Sequence, residues 1–171
     1  WQYQCRNCWT TYDRKRGDCP ECDGDVSKVP IDPATGDLAK SNSPDTWADL
    51  DTAQQYDDKD SDTQGTGFMF NSEGLLAGVD LDDCRDPGTG EIDDWARDVV
   101  NRLDSFTEVS PSGTGLHVYV LGFVPDGGNR AAVGEGEIEI YDKTRYFTVT
   151  GDHVEDTPES VEQRNDALSA V

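Results

Sequence analysis

From residue 67 onward the chain is patterned for β-strands, because apolar side chains alternate with polar ones or gather in short runs. GFMF at 67–70, the turn NSEG and LLAGVDLDD at 75–83 predict a β-hairpin. The alternation in LHVYVLGFV at 116–124 predicts a further strand. EIEIY at 137–141 and RYFTVTG at 145–151, separated by DKT, predict a second hairpin. Strands therefore dominate this part of the chain.

Helical periodicity is confined to shorter stretches. In GEIDDWARDVVNRLDSF at 90–106, apolar side chains recur on one helical face, and Asp93 or Asp94 is the expected N-cap. The predicted apolar face comprises Trp95, Val99, Leu103 and Phe106. A short helix is expected near TWADLDTAQQY at 46–56, capped near Asp45. One or two helices covering a face of an antiparallel or mixed sheet predict an α+β fold.

The remaining segments are expected to be irregular or incomplete. PDGGNRAAVGEGE at 125–137 is rich in glycine and predicts a flexible loop. Near the C-terminal end, Thr157 and Pro158 predict the start of a helix. Because the chain begins at Trp1 rather than Met, we expect a piece of a longer protein whose C-terminal helix is cut short.

Four cysteines near the N-terminus predict a small metal-binding domain. They form two Cys-x-x-Cys pairs separated by ten residues, namely Cys5, Cys8, Cys19 and Cys22. Paired thiolates on two tight turns suit tetrahedral Zn²⁺, as in a zinc ribbon. A rubredoxin-like iron centre would use the same ligands, and two disulfides are disfavoured in an intracellular setting. Residues 1–28 are thus predicted to be a zinc ribbon, and residues 29–171 a second domain.

A basic cluster, Arg14, Lys15 and Arg16, lies between the two cysteine pairs. With Trp9 and Tyr12 nearby, it could contact a nucleic-acid backbone while bases stack on the rings. A solvated loop over a small metal core explains the same residues equally well. Nucleic-acid contact is therefore one of two interpretations of this cluster.

The charge balance changes the expected environment. The chain has 36 Asp and Glu against 14 Lys and Arg, a formal net charge of -22. Such self-repulsion weakens a compact fold in dilute buffer, whereas molar salt shortens the Debye length to about 3 Å. We therefore expect a cytoplasmic protein from a salt-accumulating organism, such as a haloarchaeon or its virus. The strand patterns argue against the alternative of an acidic disordered chain, and no apolar run is long enough to span a membrane.

Asp80 and Asp82 follow the apolar run LLAGV, two positions apart. Residues i and i+2 of a strand point to the same face, so the two carboxylates should lie side by side. Adjacent like charges are unfavourable unless a cation lies between them, and Mg²⁺ or Mn²⁺ suits such hard oxygen ligands. In a chain this rich in aspartate, a surface pair without function is the alternative.

Two later segments add complementary chemistry. In SPSGTGLH at 110–117, glycines flank Thr114 and let backbone N–H groups converge on an anion. His117 could donate a hydrogen bond to a phosphate there, although a tight turn with a half-buried histidine is the alternative. Glu139 lies in an apolar alternation, where an unpaired carboxylate is costly to bury. A metal ion or an arginine such as Arg145 would offset that cost.

Together these residues resemble the archaeo-eukaryotic primase superfamily, and within it the primase-polymerase (prim-pol) domains of plasmid and phage replication proteins. That pattern is a strand with Asp-x-Asp, a Ser-Gly-x-Gly-x-His turn, and a strand with a third acid. The matching residues are Asp80, Asp82, Ser112, Gly113, Gly115, His117 and Glu139. KSNSPDTW, GVDLDDCRDPGTGEIDDWA and RYFTVTG are also similar, and the resemblance runs over about residues 29–158.

The resemblance implies an RRM-like catalytic sheet and nucleotidyl transfer from dNTPs or NTPs to a 3′-hydroxyl on a DNA template. It implies a two-metal site for Mg²⁺ or Mn²⁺, with Asp80, Asp82 and Glu139 as catalytic ligands. The residues expected to bind the triphosphate are His117, Ser112, Gly113, Thr114, Gly115, Arg145 and Lys40. A parent protein with a helicase module is also implied. A metal-dependent nuclease and a non-catalytic module that binds single strands are the alternatives.

Overall fold

The computed structural model describes residues 2–5, 11–12, 20–22, 26–60, 63, 65–71, 73–124 and 130–171. By its internal contacts the chain divides into two compact units, Trp1–Gly67 and Phe68–Val171. The division into a zinc ribbon and a larger domain rests on the cysteine pattern and stays a prediction. Within the described ranges, no helix combines the length and the apolar character that crossing a membrane would require.

The first unit begins with three short strands, β1 (Gln2–Cys5), β2 (Thr11–Tyr12) and β3 (Val26–Val29). They form an antiparallel sheet in the order β2-β1-β3. Cys5 ends β1, and Cys22 lies in a turn. The other predicted ligands and contacts fall outside the described residues: Cys8, Cys19, Arg14, Lys15 and Arg16. The zinc ribbon and its nucleic-acid contact therefore stay predictions.

The helix of the first unit, α1 (Leu50–Asp57), begins at a different aspartate from the one predicted. Asp49 is its N-cap, and its carboxylate accepts a 2.8 Å hydrogen bond from the Thr52 N–H. The prediction of a cap near Asp45 is wrong. That residue lies within a separate 3₁₀ turn, Pro44–Thr46, because proline favours the first position of a helical turn.

The second unit is built mainly from strands. In chain order its described elements are β4 (Gly67–Met69), β5 (Leu76–Asp82), α2 (Asp94–Leu103), β6 (Thr107–Val109), β7 (Leu116–Leu121), β8 (Arg130–Val133), β9 (Gly136–Tyr141), β10 (Tyr146–Thr148), β11 (Glu162–Gln163) and α3 (Asn165–Leu168). The main sheet has the order β11-β7-β5-β9-β8. β5 is antiparallel to both neighbours, and β6 and β11 share the other edge of β7. This mixed sheet with few helices confirms the α+β class, while its RRM-like character stays a prediction.

The two faces of β5 differ in chemistry, as the period-2 pattern predicts. Ala77, Val79 and Leu81 are fully buried and lie in the main apolar core. α2 contributes three buried side chains to the same core, Ala96, Val100 and Leu103. The apolar face of β5 therefore anchors the strand, and the opposite face is left for Asp80 and Asp82.

Aromatic rings pack over the polar face of β5 next to its carboxylates. Phe70, Tyr119 and Phe147 form a second buried cluster. A Cβ atom on Gly78 would lie 2.4 Å from both the Phe70 and the Phe147 rings. Only glycine therefore allows these rings to lie directly on the strand, two residues before Asp80.

Both predicted hairpins are wrong in their strand pairing. β4 and β10 pair with each other in a separate two-stranded sheet, rather than with β5 and β9. β5 already lies between β7 and β9, and β9 lies between β5 and β8. The segment predicted to be a flexible loop supplies β8. Turn residues predict where the chain reverses, but the choice of partner depends on which edges remain available.

The helix predictions are correct in position for α2 but wrong at its end and near the C-terminus. α2 has Asp93 as N-cap and ends at Leu103, because Asp104 adopts the left-handed conformation with φ +42°. Phe106 is therefore outside the helix rather than on its apolar face. No helix begins at Thr157, where the chain instead forms turns followed by β11 and the short α3.

Candidate metal centre

A row of ionisable side chains crosses the polar face of the main sheet, one from each of five strands. Asp80 on β5 lies opposite Glu139 on β9 and opposite His117 on β7. The row continues from His117 to Glu108 on β6, and from Glu139 to Arg130 on β8. The strand register thus brings together side chains that are far apart in the sequence.

Two carboxylates of this row, together with Asp82 at the end of β5, are close enough to share a cation. Asp80, Asp82 and Glu139 each offer an oxygen atom, and these atoms all lie within 4.8 Å of one another. Oxygens on opposite sides of a bound Mg²⁺ are about 4.2 Å apart, and those around Ca²⁺ about 5 Å. The carboxylates therefore fit a divalent cation, and the exposed Asp82 gives the group access to solvent.

Asp80 and Asp82 lack enough nearby positive charge to compensate for their partial removal from water. Burial, more than any other cause, raises the pKa of Asp80 to about 6; His117 lowers it, while Asp82 and Glu139 add to the rise. Burial also raises the pKa of Asp82, and Glu139 is the next contributor. A divalent cation would supply the missing charge and favour the ionised form of both groups.

Glu139 is contacted by two arginines, one at each carboxylate oxygen. Arg130 Nη1 lies 3.2 Å from Oε1, and Arg145 Nη2 lies 3.2 Å from Oε2. Arg145 also stacks over the Tyr141 ring, 4.7 Å from its centroid, and Arg130 pairs with Glu137. The predicted pairing of Arg145 with Glu139 is observed. Arg130 is absent from the predicted site because its glycine-rich flanks indicated a loop.

His117 is buried between two carboxylates rather than half-buried at the surface. Its Nε2 lies 3.7 Å from Asp80 Oδ1, and its Nδ1 lies 3.5 Å from Glu108 Oε1. The imidazole stacks on Phe147, with ring centroids 4.3 Å apart and 17° between the planes. One edge of the ring therefore faces the candidate metal centre, and the other faces Glu108.

Glu108 is a fully buried carboxylate that the sequence did not single out, because its strand is too short to show a pattern. It accepts hydrogen bonds from Tyr119 Oη at 2.8 Å, Thr150 N at 3.1 Å and Gly151 N at 2.8 Å. Burial acts to raise the pKa of Glu108, but the neighbouring His117 ring and the hydrogen bonds from these three donors outweigh it and hold the pKa below its usual value. Glu108 is therefore ionised and well anchored.

The glycine-rich turn predicted to bind phosphate packs against the end of β5. Its Thr114 carbonyl accepts 2.9 Å hydrogen bonds from the N–H groups of Cys84 and Arg85. A Cβ atom on Gly115 would lie 2.5 Å from the Leu81 carbonyl oxygen. Glycine is thus required at 115 for the turn to approach the strand that carries the carboxylates.

Part of the predicted phosphate cradle is engaged within the turn itself. The Gly113 N–H donates to the Ser110 carbonyl, and the Thr114 N–H donates to Ser112 Oγ at 3.2 Å. Arg85 Nη1 donates to the Gly113 carbonyl at 2.8 Å, which fixes the turn from outside. A phosphate would have to displace the first two bonds to use these amides, and their role in nucleotide binding stays a prediction.

Lys40, the remaining predicted nucleotide contact, lies in the first unit and is exposed. Its backbone N–H donates to Thr46 Oγ1 at 3.0 Å, and its carbonyl accepts from Trp47 Nε1 at 2.7 Å. These bonds order the backbone around Lys40. The role of its side chain stays a prediction.

Comparison with known proteins adds one relative. No protein-family model matches the chain. Over 132 residues it is 35% identical to a protein named DNA primase-polymerase from Nitratiruptor phage NrS-1. The matched region covers 74% of this chain and 18% of the phage protein, so the chain spans less than a fifth of that relative. Over the matched region, the similarity supports a primase-polymerase relationship.

Proposed function

We propose that this chain carries the catalytic region of a DNA primase-polymerase of the prim-pol family. It would transfer nucleotides from dNTPs or NTPs to a 3′-hydroxyl on a DNA template during replication. The observation that carries the proposal is the close approach of Asp80, Asp82 and Glu139 on one sheet face. The 35% identity to a DNA primase-polymerase supports the choice of reaction.

The reaction sets the demands on the site. The 3′-hydroxyl loses its proton to solvent, and its oxygen forms a bond to the α-phosphorus of the nucleotide. The bond from that phosphorus to the oxygen bridging to the β-phosphate breaks, and pyrophosphate leaves with the electron pair. Bound Mg²⁺ or Mn²⁺ ions supply Lewis acidity for the hydroxyl and the phosphate oxygens. Asp80, Asp82 and Glu139 would hold these ions, since carboxylate oxygens are their preferred protein ligands.

Cationic side chains beside the carboxylates would hold the triphosphate. Arg145 and Arg130 flank Glu139, and both guanidinium groups are partly exposed, at 38% and 63% of the side chain. Arginine donors suit phosphate oxygens, so both could bind the nucleotide while Glu139 binds metal. His117 Nε2 would contribute from the other side of Asp80, and Ser112 Oγ from the glycine-rich turn. These groups act by position and charge, which carry most of the catalysis in phosphoryl transfer.

Further parts of the proposal extend beyond the carboxylate site. A structural Zn²⁺ would be held by Cys5, Cys8, Cys19 and Cys22. Arg14, Lys15 and Arg16 would contact template DNA, and Lys40 the nucleotide. We also propose an RRM-like catalytic sheet, a helicase module in the parent protein, and a salt-rich archaeal or viral cytoplasmic setting.

Incorporation of labelled nucleotides, with and without a primer, tests the proposal in molar KCl with Mg²⁺ or Mn²⁺. We expect the wild-type chain to extend the DNA and the double variant Asp80→Ala, Asp82→Ala to lose extension. Its zinc content should be unchanged. A matched control, Asp83→Asn with Asp98→Asn, removes two exposed carboxylates and should retain activity.

The same assay separates the alternatives. Degradation of labelled DNA without incorporation would identify a metal-dependent nuclease. DNA binding with neither incorporation nor metal-dependent dNTP binding would identify a non-catalytic module. Near wild-type extension by the Asp80 and Asp82 double variant would overturn the site assignment.

A further inference from the structure

Glu108 is a buried charge for which the proposed metal centre has no direct use. It lies two strands from Asp80, with β7 between them. Its side chain is fully buried, and each oxygen is anchored: Oε1 by Tyr119 Oη, and Oε2 by the backbone N–H groups of Thr150 and Gly151. A buried ionised carboxylate is costly unless its surroundings are built to hold it. This one is held rigidly, with Oε1 directed at His117.

The His117 ring supplies the complementary observation. Its Nδ1 is buried without a hydrogen-bond partner within ordinary distance, and the nearest acceptor is Glu108 Oε1 at 3.5 Å. Its Nε2 faces Asp80 Oδ1 at 3.7 Å. Stacking on Phe147 fixes the plane of the ring. Stacking alone does not decide which edge of the ring faces which carboxylate, because a half-turn about the Cβ–Cγ bond keeps the same plane.

We propose that Glu108 is a positioning residue that retains a proton on Nδ1 of His117 and thereby directs Nε2 toward Asp80 and the incoming nucleotide. An unprotonated Nδ1 would place its lone pair 3.5 Å from the Glu108 carboxylate, and two acceptors repel each other. With the proton on Nδ1, the Nε2 lone pair faces Asp80 Oδ1 instead, which is farther away at 3.7 Å and whose charge a cation in the proposed metal centre would offset. A half-turn of the ring would place a carbon atom at Glu108 and remove Nε2 from the metal centre. Glu108 disfavours both alternatives.

The consequence for nucleotide binding rests on the proposed function, but the orientation of the ring does not. If His117 contacts the nucleotide, loss of Glu108 should weaken catalysis only through His117. Carboxylates that orient a functional histidine typically contribute about tenfold to hundredfold in affinity or activity. We therefore expect Glu108→Gln, which retains the size of the side chain, to lower kcat/KM for the nucleotide about tenfold.

Nitrogen NMR of protein labelled with ¹⁵N-histidine tests the orientation without an activity assay. The chain has 2 histidines, and a His153→Gln variant assigns the two ring systems. We expect a protonated Nδ1 on His117 in the wild type at alkaline pH. Glu108→Gln should shift the His117 signals and leave those of His153 unchanged. An unprotonated Nδ1 in the wild type overturns the proposal before any variant is made, as do unshifted His117 signals in Glu108→Gln.

A double-mutant cycle with His117→Ala tests whether Glu108 acts through the histidine. The tenfold loss expected for Glu108→Gln should disappear when His117 is already absent. An equal loss in both backgrounds would mean a merely structural role and would overturn the proposal. Glu155→Gln removes an exposed carboxylate and serves as the matched control. If no variant incorporates nucleotides, the proposed function fails, whereas the NMR result still decides the orientation.

Discussion

Asp80 and Glu108 are acids on the same face of one sheet, two strands apart, and their surroundings shift their pKa values in opposite directions. Asp80 lies beside two further carboxylates, and its pKa is raised to about 6, mainly by burial. Glu108 is more deeply buried, yet hydrogen bonds outweigh its burial and lower its pKa. Burial therefore does not by itself set the direction of a carboxyl group's pKa shift; the donors and charges around each oxygen do.

The difference has a thermodynamic consequence. The carboxylates at Asp80, Asp82 and Glu139 repel one another and are compensated only at the edges, by His117 and two arginines. Their mutual repulsion weakens the fold, and a bound divalent cation would offset it. The ionised form of Glu108 is stabilised by three hydrogen-bond donors, so it strengthens the fold at neutral pH.

Asp80→Asn should have the largest effect, with opposite signs for activity and stability. Loss of a metal ligand should reduce nucleotide incorporation at least about 1,000-fold, since a catalytic metal contributes several kcal/mol. The raised pKa of Asp80 means that its ionisation lowers stability as the pH rises through about 6. Without metal, Asn should thus raise the free energy of unfolding at pH 7 by up to about 3 kcal/mol. Incorporation assays and urea unfolding in KCl measure the two effects, with Asp98→Asn as control.

Glu108→Ala should destabilise the fold by about 3 kcal/mol or more, because it leaves buried donors unsatisfied. Since the folded-state pKa of Glu108 is lowered, its contribution is present above the unfolded pKa and is lost as the pH falls through the folded value. Urea unfolding at pH 7 and at acid pH checks both points. A loss no larger than that of the exposed Glu155→Ala, expected within about 0.5 kcal/mol, would remove the contrast between the two acids.

Metal affinity should depend on pH because the ligands must be ionised. With the pKa of Asp80 at about 6, Mn²⁺ affinity should be nearly constant above that pH. Below it, affinity should fall by up to about tenfold per pH unit. Calorimetric titration with Mn²⁺ across this range provides the measurement. A flat profile through pH 6 would show that Asp80 is not a ligand.

Arg145→Met should have the smallest effect on stability. Because 38% of the Arg145 side chain is exposed, solvent screens its pairing with Glu139. We therefore expect the free energy of unfolding to fall by less than about 1 kcal/mol. Removing a cation that competes for Glu139 should raise Mn²⁺ affinity about threefold. Lys143→Met, which removes a more exposed lysine paired with Asp142, is the control and should leave Mn²⁺ affinity unchanged. Weaker Mn²⁺ binding by Arg145→Met would mean that the arginine supports the site rather than competes for it.

Local patterns were sufficient to predict the elements that carry the site. The alternation around Asp80 and Asp82 places both side chains on one face of β5, and Glu139 lies on β9 as its apolar neighbours predict. The position of α2 likewise follows from its periodicity. The strand partners, however, were mispredicted for β4 and β10. Which strand edges remain free for pairing depends on the whole sheet, so no local sequence pattern predicts the partner.

The sequence by itself determined which residues share a strand face, because side-chain direction in a strand alternates with a fixed period of two. It also determined that the Asp pair, the glycine-rich turn with His117, and Glu139 follow one another along the chain in the order typical of the prim-pol pattern. Only the tertiary structure decided that Glu108 and Arg130 belong to the same row, since cross-strand register joins residues far apart in the chain. It also decided the opposite pKa shifts of Asp80 and Glu108, because those depend on donors and charges contributed by other strands.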